Sequence, residues 1–430
     1  MLQTDRPLQD AKPSDKQSIW ILAILSALMA FTSISTDLYL PAMPAMAQSL
    51  HANAGQLEFT ISGYLIGFSL GQLVWGPIGD RYGRRLPVAL GLLLFIAGSI
   101  GCALSTAAPV MIIWRAVQAV GACASVVLAR AMIRDLYEGH RAAQMLSTLM
   151  TVMAVAPLLG PSLGGLILKL GSWPLIFWGL AAFGCATLVA VYTLPETLPE
   201  ECRNHAPLNG AFRRYGQLLA DRRILGYAST GGFFYGGLYA YIAGTPFAYM
   251  DYYHVSPQTY GILFGVGILG IMLFNQLNAK WVKQVGSDRL MRLGALTAAL
   301  ASVWLAIDSL SGVGGLMGLV APLFLFSASA GLIVANSIVG ALNSFPHVAG
   351  AVSALIGALH YGTGILGSML VGALADGTPK PMALVMAFFG VASMACAFWL
   401  VKPASTATLE EKSYEAKAAP SEQPREPARR

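Results

Sequence analysis

Charged residues are scarce in this chain: they make up only 11% of its 430 residues, whereas 56% are hydrophobic. Soluble domains carry roughly 25% charged residues, so this composition is poorly suited to a surface in water. A protein embedded in a bilayer has such a composition because its lipid-facing helix surfaces are also apolar. We therefore predict an all-α membrane protein rather than a soluble enzyme or binding domain.

Patterns typical of catalysis and metal binding are also lacking. The five cysteines show neither metal-ligand spacing nor a disulfide framework. No Ser/His/Asp or Cys/His constellation and no Walker-type phosphate loop stands out. The net charge of +6 is distributed between apolar runs rather than gathered in a basic patch. We predict no enzymatic activity, no cofactor, no metal and no nucleic-acid partner.

Twelve apolar runs have roughly the 20 residues needed to cross a bilayer. The predicted spans are residues 19–40, 58–78, 86–106, 109–133, 144–168, 174–194, 224–250, 258–279, 289–310, 315–341, 349–374 and 381–401. The first run is long enough to span and lacks a cleavage site, so we expect it to remain as a signal anchor. Residues 1–18 and 402–430 are polar and are predicted to be disordered tails.

The distribution of lysine and arginine predicts the orientation, because cytoplasmic loops are rich in both. The turns after spans 2, 4, 6 and 8 carry Arg81, Arg84, Arg85, Arg130, Arg134, Arg141, Arg203, Arg213, Arg214, Arg222, Arg223, Lys280, Lys283, Arg289 and Arg292. The opposite turns carry only Lys169 and Lys380. We therefore predict that these turns and both termini lie in the cytoplasm. Below, the two ends of the helices are called the predicted inner end and the predicted outer end.

A polar, basic loop over residues 195–223 separates six spans from six. It predicts an N-terminal bundle over residues 19–194, a cytoplasmic linker, and a C-terminal bundle over residues 224–401. A faint repeat supports this division, because residues 80–86 and 283–289 both follow the second span of their half. The pattern predicts two related six-helix bundles packed about an axis along the membrane normal.

Asp37 lies toward the predicted outer end of span 1. A carboxylate at membrane depth is costly, so we expect it to face a cavity and to exchange protons. The alternative is that the span ends early, near Pro41, and that Asp37 caps it at the surface. Tyr39, two residues further on, is a candidate member of the same site.

Arg115 is the one lysine or arginine outside the tails that belongs to none of the turns named above, and it falls within span 4. A lone arginine in a span costs about 2.5–3.5 kcal/mol, so a partner or a wet cavity is expected. Its depth in span 4 matches that of Asp37, which makes the carboxylate a candidate partner. Gln118 is nearly one turn further on and lies on a similar face. The alternative is that Arg115 extends to the outer headgroups.

Two further segments are rich in glycine. In span 5, small residues allow close helix contact and prolines kink the helix; they are Pro157, Gly160, Pro161, Gly164 and Gly165. Residues 76–88 form a basic turn between spans 2 and 3, in which glycine permits a tight reversal. The turn residues of interest are Gly76, Asp80, Arg81, Gly83, Arg84 and Arg85.

Other polar and aromatic residues in spans are candidates for a cavity lining. We select Tyr235 and Tyr239, one turn apart, for contact with a cargo. Asn275, Asn336 and His360 are candidate cavity residues, each of which could instead form an interhelical hydrogen bond. Glu58 begins span 2 and is expected to be solvated at the predicted outer end.

These segments together resemble the drug:proton antiporter branch of the major facilitator superfamily. The chain is most similar to its bicyclomycin/chloramphenicol-resistance (Bcr/CflA) efflux family, over about residues 18–402. The segments that carry the resemblance are residues 37–44, 76–88, 115–121, 156–165 and 345–350. One departure is Lys283, which stands where Asp80 stands in the first half, so any charge network there should be one-sided.

The resemblance implies roles for several of these residues. Asp80 with Arg84 would latch the cytoplasmic side, where the start of span 11 offers a helix N-terminus to the carboxylate. Asp80 would also pair with Arg130 or Arg134. The small residues of span 5 would seal the outer side of the cavity against span 8.

The resemblance implies a transporter of the bacterial inner (plasma) membrane. We predict a proton-coupled multidrug efflux transporter that works by alternating access. Its partners would be protons, small amphipathic compounds or antibiotics, and the lipid bilayer, and it would be a monomer. One alternative is a transporter for a natural metabolite, such as a nucleoside, sugar or amino-acid derivative; the span 5 motif disfavours uptake but not export. A membrane-embedded enzyme or sensor is a second alternative, disfavoured by the missing catalytic patterns.

Overall fold

The computed structural model describes residues 15–137, 139–203, 215–344 and 349–401. Twelve long helical elements follow one another: α1 Asp15–Asp37, α2 Ala54–Tyr82, α3 Arg85–Ala103, α4 Ala108–Leu136, α5 Gly139–Leu170, α6 Pro174–Tyr192, α7 Arg222–Pro246, α8 Pro257–Val285, α9 Ser287–Ser311, α10 Gly315–Ala328 continued by Ala330–Ser344, α11 Ala349–Leu374 and α12 Lys380–Trp399. Ten have the length and apolar composition to cross a membrane. The other two are α5, whose apolar part is Val155–Leu170, and α7. The predicted all-α class is confirmed.

Helix α2 begins earlier than its apolar run predicts because a capping box sets its start. The Asn53 side chain accepts a hydrogen bond from the Gln56 backbone N–H at 2.8 Å, and the Gln56 side chain accepts one from the Asn53 N–H at 3.0 Å. These bonds satisfy two N–H groups of the first turn. The helix therefore starts at Ala54, and Glu58 lies one turn inside it.

Two predicted spans are interrupted near their outer ends. The first continues past Asp37 as a 3-10 turn over Leu40–Ala42 and a short helix over Met43–Ser49. Pro41 and Pro44 lack backbone N–H groups, so an unbroken α-helix would lose hydrogen bonds here. Helix α7 likewise gives way to a π-helical turn over Phe247–Tyr252.

The predicted tails and linker are only partly described. Residues 1–14 and 402–430 lie outside the described residues, and α1 begins at Asp15, inside the predicted N-terminal tail. After the linker's undescribed middle, residues 215–219 are helical, and Tyr215 and Leu218 are buried against Ile224. The linker is therefore anchored on the second half.

Two helix pairs join the two sets of six helices: α2 packs along α11, and α5 packs along α8. At the predicted outer end, a Cβ atom on Gly55 would lie 2.2 Å from the Gly372 carbonyl oxygen, and one on Gly261 would lie 2.9 Å from the Ser162 nitrogen. At the predicted inner end, a Cβ atom on Gly76 would meet nothing within 4 Å. The described helices are thus tightly joined at the predicted outer end.

Candidate functional site

Asp37 is the last residue of α1, yet it is buried, with only 5% of its surface exposed. Its Oδ1 atom accepts a hydrogen bond from the Thr36 hydroxyl at 3.0 Å. Helix α5 covers it, since a Cβ atom on Gly160 would lie 2.9 Å from the Asp37 Cβ. The helix does end near Asp37, as the capping alternative requires, but its carboxyl group lies between helices rather than at a surface.

Arg115 on α4 is fully buried, with 0% of its surface exposed, so it does not extend to the headgroups. Its Nη1 group donates to the Ser35 carbonyl at 3.0 Å and to Gln118 Oε1 at 2.6 Å. Its guanidinium carbon lies 4.2 Å from the ring centre of Tyr39 and 4.5 Å from that of Tyr64. A desolvated cation gains about 2 kcal/mol or more from such ring contacts.

Asp37, the candidate partner of Arg115, is not in direct contact with the guanidinium. In the described part of the chain, no ion pair within 4.0 Å joins the two. Three aromatic rings, the third being Phe177 at 6.0 Å, surround the cation together with a backbone carbonyl and an amide oxygen. Its Nε and Nη2 groups are buried and have no hydrogen-bond partner among the described residues. The site thus holds two unused donors close to the segment that carries Asp37.

Aromatic rings connect this site to the facing half of the molecule. Tyr64 stacks near Phe68 with ring centres 6.2 Å apart, and Phe68 lies 4.6 Å from Tyr361 on α11. Tyr361 in turn contacts Tyr235 at 5.8 Å and Tyr239 at 6.0 Å. We call Tyr64, Phe68, Tyr235, Tyr239 and Tyr361 the aromatic wall. The sequence pointed to Tyr235 and Tyr239 but not to the other three, because a tyrosine or phenylalanine in a span usually packs or faces lipid.

His360 closes the aromatic wall on α11. Its ring stacks on Tyr235 with centres 4.7 Å apart, and it is almost fully buried. Its Nε2 atom has no hydrogen-bond partner in the described structure, so the interhelical hydrogen bond considered for it is not made through this atom. A cargo with a hydrogen-bonding group could use it.

The two candidate asparagines behave differently. Asn336 on α10 is buried and donates to Asn278 Oδ1 on α8 at 2.7 Å, the interhelical bond considered for it. Asn275 is exposed, and no hydrogen bond joins it to the aromatic wall within the described ranges. Neither residue contributes to the group around Arg115.

At the predicted inner end, Arg84 holds the turn between α2 and α3. Its Nη1 atom lies 2.6 Å from Asp80 Oδ1, and its Nε atom lies 2.8 Å from Asp135 Oδ2. The Glu196 carboxylate accepts the backbone N–H groups of Arg84 at 2.7 Å and of Arg85 at 3.1 Å. Gly83, with φ of +87°, gives the reversal that aims these groups at Glu196.

The predicted partners of Asp80 need correction. The contact with Arg84 is present, but among the described ion pairs Asp80 is not joined to Arg130 or Arg134. Arg130 instead donates to Met153 Sδ at 3.6 Å, and Arg134 is exposed. The Asp80 side chain is 53% exposed, so Asp135 is the more buried acid of the pair.

The remaining basic residues of the turn pack on tyrosines. Arg85 lies over the Tyr192 ring at 5.2 Å and donates to the Tyr192 carbonyl at 2.7 Å. Arg81 lies over Tyr82 at 5.6 Å. Asp135 and Glu196 were missed in the sequence because acids at helix ends usually face water.

The corresponding turn of the second half has no such acid–base network. Arg292 donates to the carbonyls of Ala397, at 3.1 Å, and Val401, which end α12. Asp288 accepts a hydrogen bond from the Tyr227 hydroxyl at 2.9 Å. The described part of this turn contains no ion pair.

The small residues of α5 divide between two neighbours, which corrects the expectation that all of them face α8. Gly160 and Gly164 face α1: a Cβ atom on Gly164 would lie 1.9 Å from the Leu38 carbonyl oxygen. Gly165 faces α8, where the Pro257 carbonyl oxygen would lie 3.1 Å from such an atom. Helix α5 thus contacts both Asp37 and the other half of the molecule.

Glu58 also departs from expectation. It is 3% exposed rather than solvated, and its Oε2 atom has no hydrogen-bond partner in the described chain.

Comparison with known proteins identifies the fold and the family. The sequence pattern of the Major Facilitator Superfamily matches residues 23–367. The chain belongs to the major facilitator superfamily. A MFS-type transporter of Bacillus subtilis, YdgK, is 34% identical over 91% of this chain and 97% of its own length. A bicyclomycin resistance protein homolog of Haemophilus influenzae is 29% identical over 89% of this chain and 95% of its own length.

A solved structure confirms the fold of this major facilitator protein. The xylose transporter XylE of E. coli, in a partially occluded inward open conformation, aligns with a TM-score of 0.70 at 16% identity. The alignment covers 90% of this chain and 98% of that chain. The chain is therefore a multi-pass membrane transporter of small molecules, with drug-resistance proteins among its relatives, and not an enzyme.

The contact of α5 with α1 in this major facilitator protein predicts a large effect of one methyl group. Gly164→Ala places a Cβ atom against the Leu38 backbone, which cannot rotate away, and overpacking of this kind costs about 1–3 kcal/mol. We expect a lower apparent Tm in detergent and reduced transport. Gly179→Ala is the matched control, because Gly179 is also helical and a Cβ atom there meets nothing within 4 Å. Equal Tm values for the two variants would contradict the prediction.

The Glu196 contacts predict a pH-dependent stability. Burial opposes ionisation, but hydrogen bonds from the backbone N–H groups of Arg84, Leu198 and Arg85 outweigh it and lower the pKa of Glu196. A carboxyl group whose pKa is lower in the folded state stabilises the fold at pH values above its pKa in the unfolded chain, which is about 4.3. This contribution is lost as the pH falls through the folded pKa. Glu196→Gln should therefore lower the apparent Tm by about 2 °C or more at neutral pH, with a smaller difference in acid.

Glu200→Gln is the control for this measurement. Glu200 is in the same loop, but its ion pair with Arg203 is exposed, and exposed pairs contribute little. A Tm difference for Glu196→Gln that does not shrink in acid would show that its carboxylate charge is not the cause.

Proposed function

We propose that this transporter exports small amphipathic compounds, antibiotics among them, in exchange for protons across a bacterial inner membrane. The observation that carries the proposal is the pair of buried ionisable groups, Asp37 and Arg115, beside a helix that contacts both halves. The resistance-associated name of the Haemophilus influenzae relative supports the cargo class. We further propose that both termini lie in the cytoplasm, since the basic turns lie at one end, and that the transporter works as a monomer.

Proton exchange is assigned to Asp37. A buried carboxyl group with no cation within 4.0 Å is most stable in its neutral form, so the arrangement described here corresponds to protonated Asp37. Release of the proton leaves a carboxylate that needs donors. The Nε and Nη2 groups of Arg115 supply them if the side chain leaves the Tyr39 and Tyr64 rings.

Cargo binding is assigned to the aromatic wall and His360. Flat rings from both halves offer apolar contact without fixed polar geometry, which suits chemically varied amphipathic compounds. The unpaired His360 Nε2 atom adds one hydrogen-bonding position. Because the aromatic wall begins at Tyr64, a ring that also contacts Arg115, cargo and proton sites share a residue.

Purified transporter in proteoliposomes with an imposed pH gradient tests the proposal. A panel should combine antibiotics and amphipathic dyes with nucleosides, sugars and amino-acid derivatives. We expect drug accumulation that requires the gradient and a matching proton flux in the opposite direction. Accumulation of a natural metabolite but of no drug would favour metabolite export, and accumulation that is unaffected by the gradient would exclude proton coupling.

A further inference from the structure

Glu58 is a buried acid for which the proposed function assigns no role. It lies in the second turn of α2, at the predicted outer end, and has no described ion-pair partner. With 3% exposure and an unpartnered Oε2 atom, it is as enclosed as Asp37. Burial of an unpaired carboxylate is so costly that such a group stays neutral. A neutral carboxyl group therefore fits this enclosed position of Glu58 better than a carboxylate does.

The surroundings of Glu58 offer no compensating charge. It lines a small pocket with Gly244, Phe247, Val371 and Met382, and no other lining residue is ionisable. The ionisable groups on the segments that meet at this end are His51, Tyr249, Asp251, Tyr252, Tyr253, His254, Asp376 and Lys380. None of them forms a described hydrogen bond or ion pair with Glu58, and Asp376 is engaged by the Thr378 backbone and hydroxyl groups. Deeper along the helices packed on α2 lie Arg115, Tyr235, Tyr239, His360 and Tyr361, with the contacts given above.

Glu58 lies on the face of α2 that meets α11. Gly55 and Ser62 are three residues before it and four residues after it, so all three share one helix face. Gly55 packs on the Gly372 backbone, and the Ser62 hydroxyl lies 2.8 Å from the Ser368 hydroxyl. Separation of α2 from α11 at this end would expose Glu58 to external water, and their contact encloses it.

We propose that Glu58 is a second proton-binding residue, which must be protonated before the outer gate between α2 and α11 can close. In the open state, the carboxylate takes a proton from external water and becomes a neutral carboxyl group. Closure then buries it without an unpaired charge. On reopening, the proton returns to the same side. This inference rests on the proposed proton exchange at Asp37. If Glu58 must be protonated before the outer gate closes, a low external pH triggers the return of the transporter after it has released its cargo.

Cross-linking across the gate tests the proposal without measuring transport. Ser62→Cys and Ser368→Cys place two thiols where hydroxyls now lie 2.8 Å apart, within reach of a disulfide. The pair is introduced into an Asp37→Asn background, which removes the other buried acid. The rate of disulfide formation between positions 62 and 368 is followed by mass spectrometry in right-side-out vesicles at external pH values from about 5 to 8.

The cross-linking rates of the variants are compared with one another at each pH, because thiol ionisation affects all variants equally. Glu58→Gln should cross-link faster than its Glu58 parent by a ratio that rises with pH, by up to about tenfold per unit for one titrating group. Glu58→Met should behave as Glu58→Gln, and Glu58→Asp should retain the pH dependence of the parent. A ratio that does not change with pH overturns the proposal, even if drug transport is later demonstrated. A failure of drug transport leaves this test unaffected.

Discussion

Asp37→Asn is expected to abolish uphill drug export while the protein remains folded in the membrane. Asparagine matches aspartic acid in size and can still accept the hydrogen bond from Thr36, so the packing against Gly160 is retained. It cannot bind and release a proton. One proton entering down about 150 mV supplies about 3.5 kcal/mol, enough for a drug gradient of a few hundred-fold. Without proton exchange, the transporter should build up no drug gradient.

Downhill movement should survive the same change. Exchange of labelled for unlabelled drug across vesicles at equal pH needs the cargo site and the rocking of the halves, but no net proton transfer. We therefore expect Asp37→Asn to lose gradient-driven accumulation and to keep exchange. Loss of both would indicate a structural role for Asp37, and retention of accumulation would refute its role as the proton carrier.

Asp221→Asn is the matched control. Asp221 is the N-cap of α7, where its Oδ1 atom accepts the backbone N–H groups of Arg223 and Ile224. Asparagine is an equally good N-cap, so this variant removes one carboxylate without removing the cap. It should transport as the unmodified protein does.

The sequence was most informative where a single residue type is costly in its surroundings. An acid and an arginine within apolar runs predicted that Asp37 and Arg115 lie inside the protein, and both are buried. The lengths of the apolar runs also predicted the twelve helices. These properties follow from the bilayer, which acts on each span separately, and they can be inferred without knowing which helices touch.

The partners of these residues depend on which faces meet, and one sequence does not contain that information. Arg115 is covered by Tyr39 and Tyr64, from two other helical segments, rather than by the nearest acid. Glu58 is one turn from a helix end, where an acid is usually solvated, and is enclosed only because Gly55 allows α11 to approach. The same holds for Glu196. It lies 112 positions after Arg84 in the chain, yet its carboxylate accepts the backbone N–H of Arg84.

Arg115→Lys is expected to reduce transport at least about tenfold, although it keeps the positive charge. A lysine ammonium is compact and strongly hydrated, whereas the planar guanidinium stacks on rings and donates in several fixed directions. The variant would lose the flat contact with Tyr39 and Tyr64 and the donors that we assign to ionised Asp37. A loss of about 1.4 kcal/mol of interaction free energy, either from the ring contacts or from the contacts with ionised Asp37, corresponds to the tenfold change.

Transport and stability should separate the two parts of this effect. If the stacking matters only for packing, Arg115→Lys should lower the apparent Tm and leave the pH profile of transport unchanged. If Arg115 compensates Asp37, the pH profile should shift, because the proton on Asp37 is held more tightly when fewer donors meet its carboxylate. Arg222→Lys, at an exposed position on α7, is the control for replacing an arginine by a lysine. Unchanged transport in both variants would show that any buried cation suffices at Arg115, and that the flat, many-donor shape of the guanidinium has no part in the mechanism.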